Sequence, residues 1–191
     1  HHDLQTRLKR CDGIVKMKKT IAMVDSDTLF KVSYGLYLIC SGNAGKGNGY
    51  ISNTVFQVSS DPVKFATCCS KNNYTSGLIM ETGAFSVSVL STDVKPQLIA
   101  TFGYRSGRDI DKLAAFNVRY GQTGVPLITE SAVAVFEFRI LETVDVGTHF
   151  LFIAGLLNSE MIDATKEPMT YRYYREVRKG FAPKNAPTYI D

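Results

Sequence analysis

The sequence predicts a mainly β domain: an antiparallel barrel, closed or built from two sheets, with a few short helices. Apolar residues alternate with serines from Phe85 to Val89, which is the period-2 pattern of a half-buried strand. Two longer runs, 132–144 and 148–157, have the apolar content of core strands. The elements show no regular strand–helix alternation, so a doubly wound parallel sheet is disfavoured.

The individual elements follow from residue types and turn signals along the chain. Strands are predicted where aromatic and β-branched residues lie between turn residues, at 34–41, 50–59, 64–69, 85–89, 132–144 and 148–157. Helices are predicted after capping residues or prolines, at 25–32, 75–82, 96–102 and 109–116. The glycine-rich segment 42–49 is predicted to be a hairpin tip, because it lacks P-loop spacing and leads into a strand.

The composition is that of a globular chain with an uneven charge distribution. Hydrophobic residues make up 45% of the 191 and charged residues 21%, which excludes intrinsic disorder. The net charge of +4 comes from residues 1–22, so the body has no basic excess, and nucleic-acid binding is not expected. Residues 1–22 begin with two histidines and are interpreted as a tag or a disordered extension, and 23–191 as the domain.

Cysteine usage and hydropathy indicate a cytoplasmic protein. Of four cysteines, Cys68 and Cys69 are adjacent, and no spacing suggests a disulfide framework or a metal site. Free thiols are typical of reducing compartments. No apolar run approaches the ~20 residues needed to span a bilayer, and the start has no signal-peptide pattern, so no membrane association is expected.

Two polar segments are candidate binding elements. Asn53 and Gln57 lie in an otherwise apolar run, either as amides that cap neighbouring backbone or as a site that reads a planar heterocycle. Segment 70–75 combines hydroxyls, amides and a lysine at a predicted helix start, which is the composition of an anion site. The alternative for this segment is that Thr75 acts as a helix N-cap, a role compatible with anion binding.

Charged and titratable candidates are few. Arg105 and Arg108 lie in a glycine-containing turn that suits a phosphate or a negatively charged flavin ring, or is a plain solvated loop. His149 is the only histidine after position 2 and is either a structural residue or a catalytic one. No recognisable Ser/His/Asp motif supports hydrolysis.

Taken in order, these segments resemble the FMN-binding split-barrel family of flavin reductase-like proteins. The resemblance is closest to the branch of ferric reductases, flavoredoxins and high-molecular-weight rubredoxins, and it covers about residue 25 to the C-terminus. It rests on collinear motifs at 30–37, 53–57, 70–73, 83–90, 102–109, 121–126, 145–149 and 169–174. The chain departs from the rubredoxin-fused members because it contains no Cys-x-x-Cys pair for an iron centre.

The resemblance implies a fold, a cofactor and an activity. The fold is an antiparallel, Greek-key-like split barrel that binds FMN non-covalently near the interface of a homodimer. The activity is that of an enzyme that passes electrons from NADH or NADPH through FMN to free flavin, ferric iron or a small redox protein. No ribose-reading motif is visible, so the choice between the two nicotinamides stays open.

The resemblance also assigns site residues. To the flavin ring and ribityl chain it assigns the segment Asn53, Thr54, Val55, Phe56 and Gln57. To the phosphate end it assigns Cys68, Ser70, Lys71, Asn72 and Thr75, with Arg105 or Arg108 closing the site. His149 is expected near the flavin and nicotinamide rings as the catalytic candidate, and Tyr171 in stacking or at the subunit interface.

Two alternatives to the reductase remain at this stage. One is an electron-transfer flavoprotein that a protein partner reduces. The other is a flavin-binding module without catalysis.

Overall fold

The structure, a computed structural model, describes residues 25–188. The chain divides into two compact units, 1–32 and 33–191. In the first unit, α1 (Ser26–Leu29) begins after Asp25, whose Oδ1 accepts a hydrogen bond from Asp27 N at 3.0 Å. This confirms the predicted helix in a shorter form, whereas the segment interpreted as a tag, 1–22, lies outside the described residues.

Nine strands and three further helices make up the described part of the second unit. In chain order they are β1 (Tyr37–Asn43), β2 (Lys46–Ser52), β3 (Val55–Ser60), β4 (Val63–Ser70), α2 (Tyr74–Thr82), β5 (Ala84–Leu90), α3 (Pro96–Tyr104), β6 (Val118–Tyr120), β7 (Pro126–Ile128), β8 (Ala132–Asp145), β9 (His149–Met161) and α4 (Tyr171–Glu176). The predicted mainly β, antiparallel architecture is confirmed.

Seven of the strands form one antiparallel sheet in the order β2-β1-β5-β8-β9-β4-β3, and β6 pairs with β7. The edge strands β2 and β3 are consecutive in sequence, and only Asn53 and Thr54 join them. Because three Cα–Cα steps span at most about 11 Å, the two edges must come together. The Tyr50 hydroxyl on β2 donates to the Cys68 carbonyl on β4 at 3.1 Å, across this closure.

Two apolar clusters fill the fold. Inside the curved sheet, Phe85 and Phe138 stack with ring centroids 5.2 Å apart, and Phe152 is fully buried beside them. A second cluster packs α3 and α4 onto the sheet and includes Leu98 and Phe102. The first cluster fills the inside of the barrel, and the second holds α3 and α4 against the sheet.

Strand β5 is more buried than its alternating sequence indicates. Ser86 and Ser88, expected on a solvent-facing side, are each only 1% exposed. Their hydroxyls donate to the carbonyls of Pro126 and Ile128 on β7, at 2.5 and 2.7 Å. The short strand β7 therefore covers the polar face of β5, and serine can be buried there because each hydroxyl has an acceptor.

Two other predicted elements differ from the structure. The strand predicted over 50–59 is interrupted at Asn53 and Thr54, where the Ser52 hydroxyl accepts a hydrogen bond from Thr54 N and ends β2. The helix predicted over 109–116 is absent, and the described backbone there consists of turns. Asp111 Oδ1 accepts from Leu113 N at 3.0 Å, which shows how short acidic side chains compete with helical hydrogen bonding.

Three short elements were not predicted at all. Strands β6 and β7 have three residues each, and α4 has six, so none shows a readable period. Among residues 25–188, no helix is both long and apolar enough to cross a membrane.

Glu137 on β8 is a buried carboxylate that organises the turn between β6 and β7. It is 2% exposed and accepts hydrogen bonds from Gln122 N at 3.0 Å and from the amide and hydroxyl of Thr123, both at 2.6 Å. Burial acts to raise the pKa of Glu137, but the hydrogen bonds from Thr123 and Gln122 outweigh it, and the pKa is lowered.

We expect Glu137→Gln to lower the free energy of unfolding by about 1–3 kcal/mol at pH 7, because an amide NH₂ would face backbone donors. A carboxylate whose pKa is lowered by folding stabilises the folded state at pH values above its unfolded pKa. The difference in free energy of unfolding between the variant and wild type should therefore shrink as pH falls below about 4. Urea unfolding at several pH values measures both effects. Glu142→Gln, an exposed position on the same strand, is the control, and an equal loss in both variants would contradict the assignment.

Candidate functional site

A cleft of about 510 Å³ opens on the side of the barrel where β2 and β4 come together. Its floor includes Tyr50 on β2 and Cys68 and Ser70 at the end of β4. The end of α3 and the loop after it, residues 103–108, form one wall, and the C-terminal residues 181–187 form the other. The cleft therefore depends on barrel closure, which brings β2 beside β4.

The start of α2 borders the cleft because β4 ends in a capped turn. The Ser70 hydroxyl accepts from Asn72 N at 3.3 Å, and the Asn73 side chain caps the helix by accepting from Thr75 N at 2.9 Å. Unpaired N–H groups at a helix start favour an anion. Asn73, and not Thr75, is thus the N-cap, and Thr75 is buried with its hydroxyl bonded to Asn48 Nδ2 at 2.9 Å.

The loop after α3 brings arginines to the same place. Arg108 Nη1 donates to Asn72 O at 3.2 Å, and its guanidinium lies 5.6 Å from the centroid of the Tyr74 ring. The Ser106 hydroxyl accepts from Arg108 N at 3.1 Å and tightens the turn. Arg105 borders the cleft with no hydrogen-bond or ion-pair partner among residues 25–188.

The electrostatics of the cleft are one-sided. Four cationic residues line it, Arg105, Arg108, Lys112 and Lys184, and the described lining contains no Asp or Glu. Residues 23–191 as a whole carry equal numbers of acidic and basic side chains. The cleft therefore concentrates positive potential on an otherwise neutral body, which suits a phosphate-bearing ligand.

Lys112 is a buried cation that the sequence did not single out. Its side chain reaches the cleft floor, where Nζ donates to Gly49 O at 2.9 Å and to Phe102 O at 3.3 Å, and the residue is only 4% exposed. No carboxylate pairs with it among the described residues. Burial lowers the pKa of Lys112 to about 8, because a desolvated ammonium is disfavoured.

Five of the predicted site residues come together in this cleft. They are Cys68, Ser70, Asn72, Arg105 and Arg108. Burial raises the pKa of the half-buried Cys68 thiol, so that this group stays protonated near neutral pH. Five of the residues predicted for the phosphate end therefore line one cleft, and their role toward a phosphate stays a prediction.

Asn53 and Tyr171 border a smaller apolar cavity of about 30 Å³ next to the cleft. Asn53 is 5% exposed, and its Oδ1 has no hydrogen-bond partner, which marks it as an acceptor available to a ligand. Thr54 is buried beside it, with its hydroxyl 3.3 Å from that of Ser52. Of the two open interpretations of Asn53, the orphaned oxygen favours a ligand-reading amide over a backbone cap.

The predicted ring-binding residues on β3 do not line the cleft of a single chain. Val55 is half-buried and packs against the barrel core, while Phe56 on the sheet edge is 51% exposed. The Gln57 side chain donates to Ser59 O at 3.1 Å. These three residues would need another surface, such as that of a second chain, to enclose a ligand.

Lys71 and His149 do not line the cleft themselves but lie next to residues that do. Lys71 Nζ pairs with Asp145 Oδ1 at 2.6 Å and is not among the lining residues. His149 is opposite the cleft residue Ser70 in the β4–β9 register, and its Nε2 lies 3.2 Å from the carbonyl of Asn185. A carbonyl only accepts, so Nε2 carries a proton, and Nδ1 is 2.8 Å from the Thr148 hydroxyl.

The sequence missed Lys112 and the C-terminal wall. Lys112 lies in the stretch predicted as a helix, and a lone lysine in a polar segment carries no signal of burial. The run 181–187 contains two prolines and a lysine and was not assigned any role. Among the described residues, no group of three or more His, Cys, Asp or Glu side chains could hold a metal.

Comparison with known proteins identifies what the chain is similar to. The model of the family described as "Flavin reductase like domain" matches residues 29–180. A protein named ferric-chelate reductase (NAD(P)H) from Archaeoglobus fulgidus is 39% identical over 88% of this chain and 99% of its own length. A high molecular weight rubredoxin from Moorella thermoacetica is also 39% identical, over 87% of this chain and 72% of its own length.

Solved structures share the fold. An FMN-binding protein from Thermus thermophilus superposes with a TM-score of 0.61 at 27% identity, over 68% of this chain and 73% of that one. The sequence resemblance to ferric reductases and rubredoxin-containing relatives is thereby confirmed.

We expect Lys112→Met to remove a pH dependence of stability. The lysine is protonated in the unfolded chain up to about pH 10 but loses its proton near pH 8 when folded. Between pH 7 and 9.5 the free energy of unfolding of wild type should therefore rise by about 2 kcal/mol relative to that of the variant. Chemical denaturation at both pH values measures this gain. Lys95→Met, at an exposed position, should show none, and a flat difference for Lys112→Met would contradict the burial argument.

Proposed function

Because the chain belongs to the family of flavin reductase-like domains, we propose that it passes electrons from NADH or NADPH through FMN to an acceptor. It is a flavin-based oxidoreductase, as its family and its relatives' activities establish. The observation that supports FMN in particular is a cleft lined by positive charge, with a smaller apolar cavity beside it that contains the buried amide of Asn53. A phosphate ester joined to a planar heterocycle has this polarity.

The residues present fit FMN at both ends. At the proposed phosphate end, Arg105, Arg108 and Lys112 line the cleft, and no Asp or Glu is among the described residues of that lining. At the ring end, Asn53 Oδ1 is a buried acceptor without a donor, and a flavin ring carries an N–H group that could supply one. When bound, FMN would accept a hydride from reduced nicotinamide and deliver electrons singly or in pairs.

The residues of the chain would bind the FMN, orient it and shield it from water. Arg108 is held over Tyr74 and against Asn72 O, so its guanidinium is preorganised for a phosphate group. His149 Nε2 hydrogen-bonds the carbonyl of Asn185, a residue that lines the cleft, and we assign the same N–H as the donor to a polar atom of a ring system when the ligand is bound. We assign His149 the catalytic role and Arg105, Arg108 and Lys112 the binding role. None of these groups is placed as a nucleophile.

We further propose that the working unit is a homodimer. Phe56 and Val58 on the edge strand β3 are 51% and 46% exposed, which is unusual for large apolar side chains on a sheet edge. A second chain against β3 would bury them and bring Val55, Phe56 and Gln57 to the flavin as the resemblance implies.

The acceptor is proposed from the relatives' names. One relative is named for ferric chelates and another for rubredoxin, so ferric iron and a small electron-transfer protein are both proposed acceptors.

We expect the purified protein to take up one FMN per chain and NADH or NADPH to bleach the bound flavin. His149→Ala should keep FMN and slow the bleaching by on the order of tenfold or more, because a donor near the ring is lost. Flavin titration and stopped-flow absorbance at both nicotinamides measure this. Failure to bind FMN would refute the proposal, and binding without bleaching by either nicotinamide would favour a protein electron donor or a non-catalytic module.

We expect Arg108→Ala to weaken FMN by on the order of tenfold and riboflavin much less, because only FMN carries the phosphate. Lys71→Ala is the comparison that tests the assignment made from the resemblance, since Lys71 is paired with Asp145 in the structure. Fluorescence titration with both flavins gives the two affinity ratios. Equal weakening of FMN and riboflavin by either substitution would remove that residue from the phosphate site.

A further inference from the structure

The C-terminal tail, defined here as residues 181–188, is anchored at its beginning. Gly180 N donates to Tyr174 O at 2.9 Å, and a Cβ at Gly180 would lie 2.0 Å from Tyr174 Cζ, so only glycine lets the chain pass this ring. The Tyr104 hydroxyl then donates to Phe181 O at 3.0 Å. Ala182 packs against the apolar cluster under α3 and α4, which fixes this half of the tail.

The distal half of the tail contacts the side chains assigned to the flavin. Asn53 Nδ2 donates to Thr188 Oγ1 at 2.6 Å, and His149 Nε2 lies 3.2 Å from Asn185 O. Two of the residues expected at the ring end of the site, Asn53 and His149, thus contact the tail of the same chain.

The two halves of the tail are held with different strength. The distal half has exposed residues at Lys184 and Asn185 and is attached to the barrel through individual hydrogen bonds. A single hydrogen bond contributes about 1 kcal/mol, so this half can lift at low cost while the half at Tyr104 stays in place. A ligand that offers the same donors a better partner would therefore release it.

We propose that the distal tail is a strap that the flavin ring displaces from Asn53 and His149, and that opening of the strap governs access to the cleft. The inference rests on the proposed function, because the displacing ligand is the flavin. The strap remains tethered at Tyr104 and Tyr174, so it can return when the site is vacated. The flavin ring, and not the phosphate, displaces the strap, because the two side chains that the strap contacts, Asn53 and His149, are both assigned to the ring.

The first experiment is limited trypsin digestion of the full chain, with cleavage after Lys184 quantified by mass spectrometry. FMN and riboflavin should each increase that cleavage several-fold, whereas inorganic phosphate should leave it unchanged. Flavin binding with unchanged or reduced cleavage would overturn the strap alone. Absence of flavin binding to the intact protein would overturn the proposed function and the strap together.

The second experiment measures FMN association by stopped-flow fluorescence. Thr188→Val removes the acceptor for Asn53 Nδ2 and should speed association about fivefold or more, the factor that corresponds to one lost hydrogen bond. Thr165→Val, on the surface and bonded only to Asp163, is the matched control and should leave the rate unchanged. An unchanged or slower rate for Thr188→Val would overturn the proposal.

Discussion

Barrel closure by a two-residue link is the constraint on which the site depends. Strands β2 and β3 stand at opposite edges of a seven-stranded sheet, yet Asn53 and Thr54 alone connect them. A flat sheet would separate those edges by six strand spacings, about 28 Å, which two residues cannot cross. The sheet therefore curls, β2 approaches β4, and the connecting Asn53 is buried next to the cleft with an orphaned side-chain oxygen.

The cleft concentrates positive charge at an energetic cost to the fold. Lys112 is buried without a carboxylate partner in the described chain, and two backbone carbonyls only partly replace its hydration. A phosphate ligand would compensate for the cost of burying this ammonium, which gives a reason for a lysine at position 112. Positive charge in a cleft without acidic lining residues, on an otherwise neutral body, suits a phosphate group such as a flavin nucleotide carries, in line with the flavin chemistry of the family.

The sequence predicted elements better than it predicted their surroundings. The long strands β8 and β9 and the helices α2 and α3 were found because period and caps are local signals. The serines of β5 were placed toward solvent, because nothing local reveals that β7 would cover them. The helix expected over 109–116 failed for a similar reason, since Lys112 reaches into the cleft and Asp111 bonds its own backbone.

The sequence by itself determined the strand-rich antiparallel class and the family. It also singled out Cys68, Ser70, Asn72, Arg105 and Arg108, which line one cleft in the structure. These follow from local residue patterns and collinear motifs, which fold nearby in space. Only the tertiary structure decided that Lys112 is a buried cleft cation, that Lys71 is paired with Asp145 and that the tail lies on Asn53 and His149. The contacts of His149 with Asn185 and of Asn53 with Thr188 join residues 36 and 135 positions apart, and no local pattern specifies such partners.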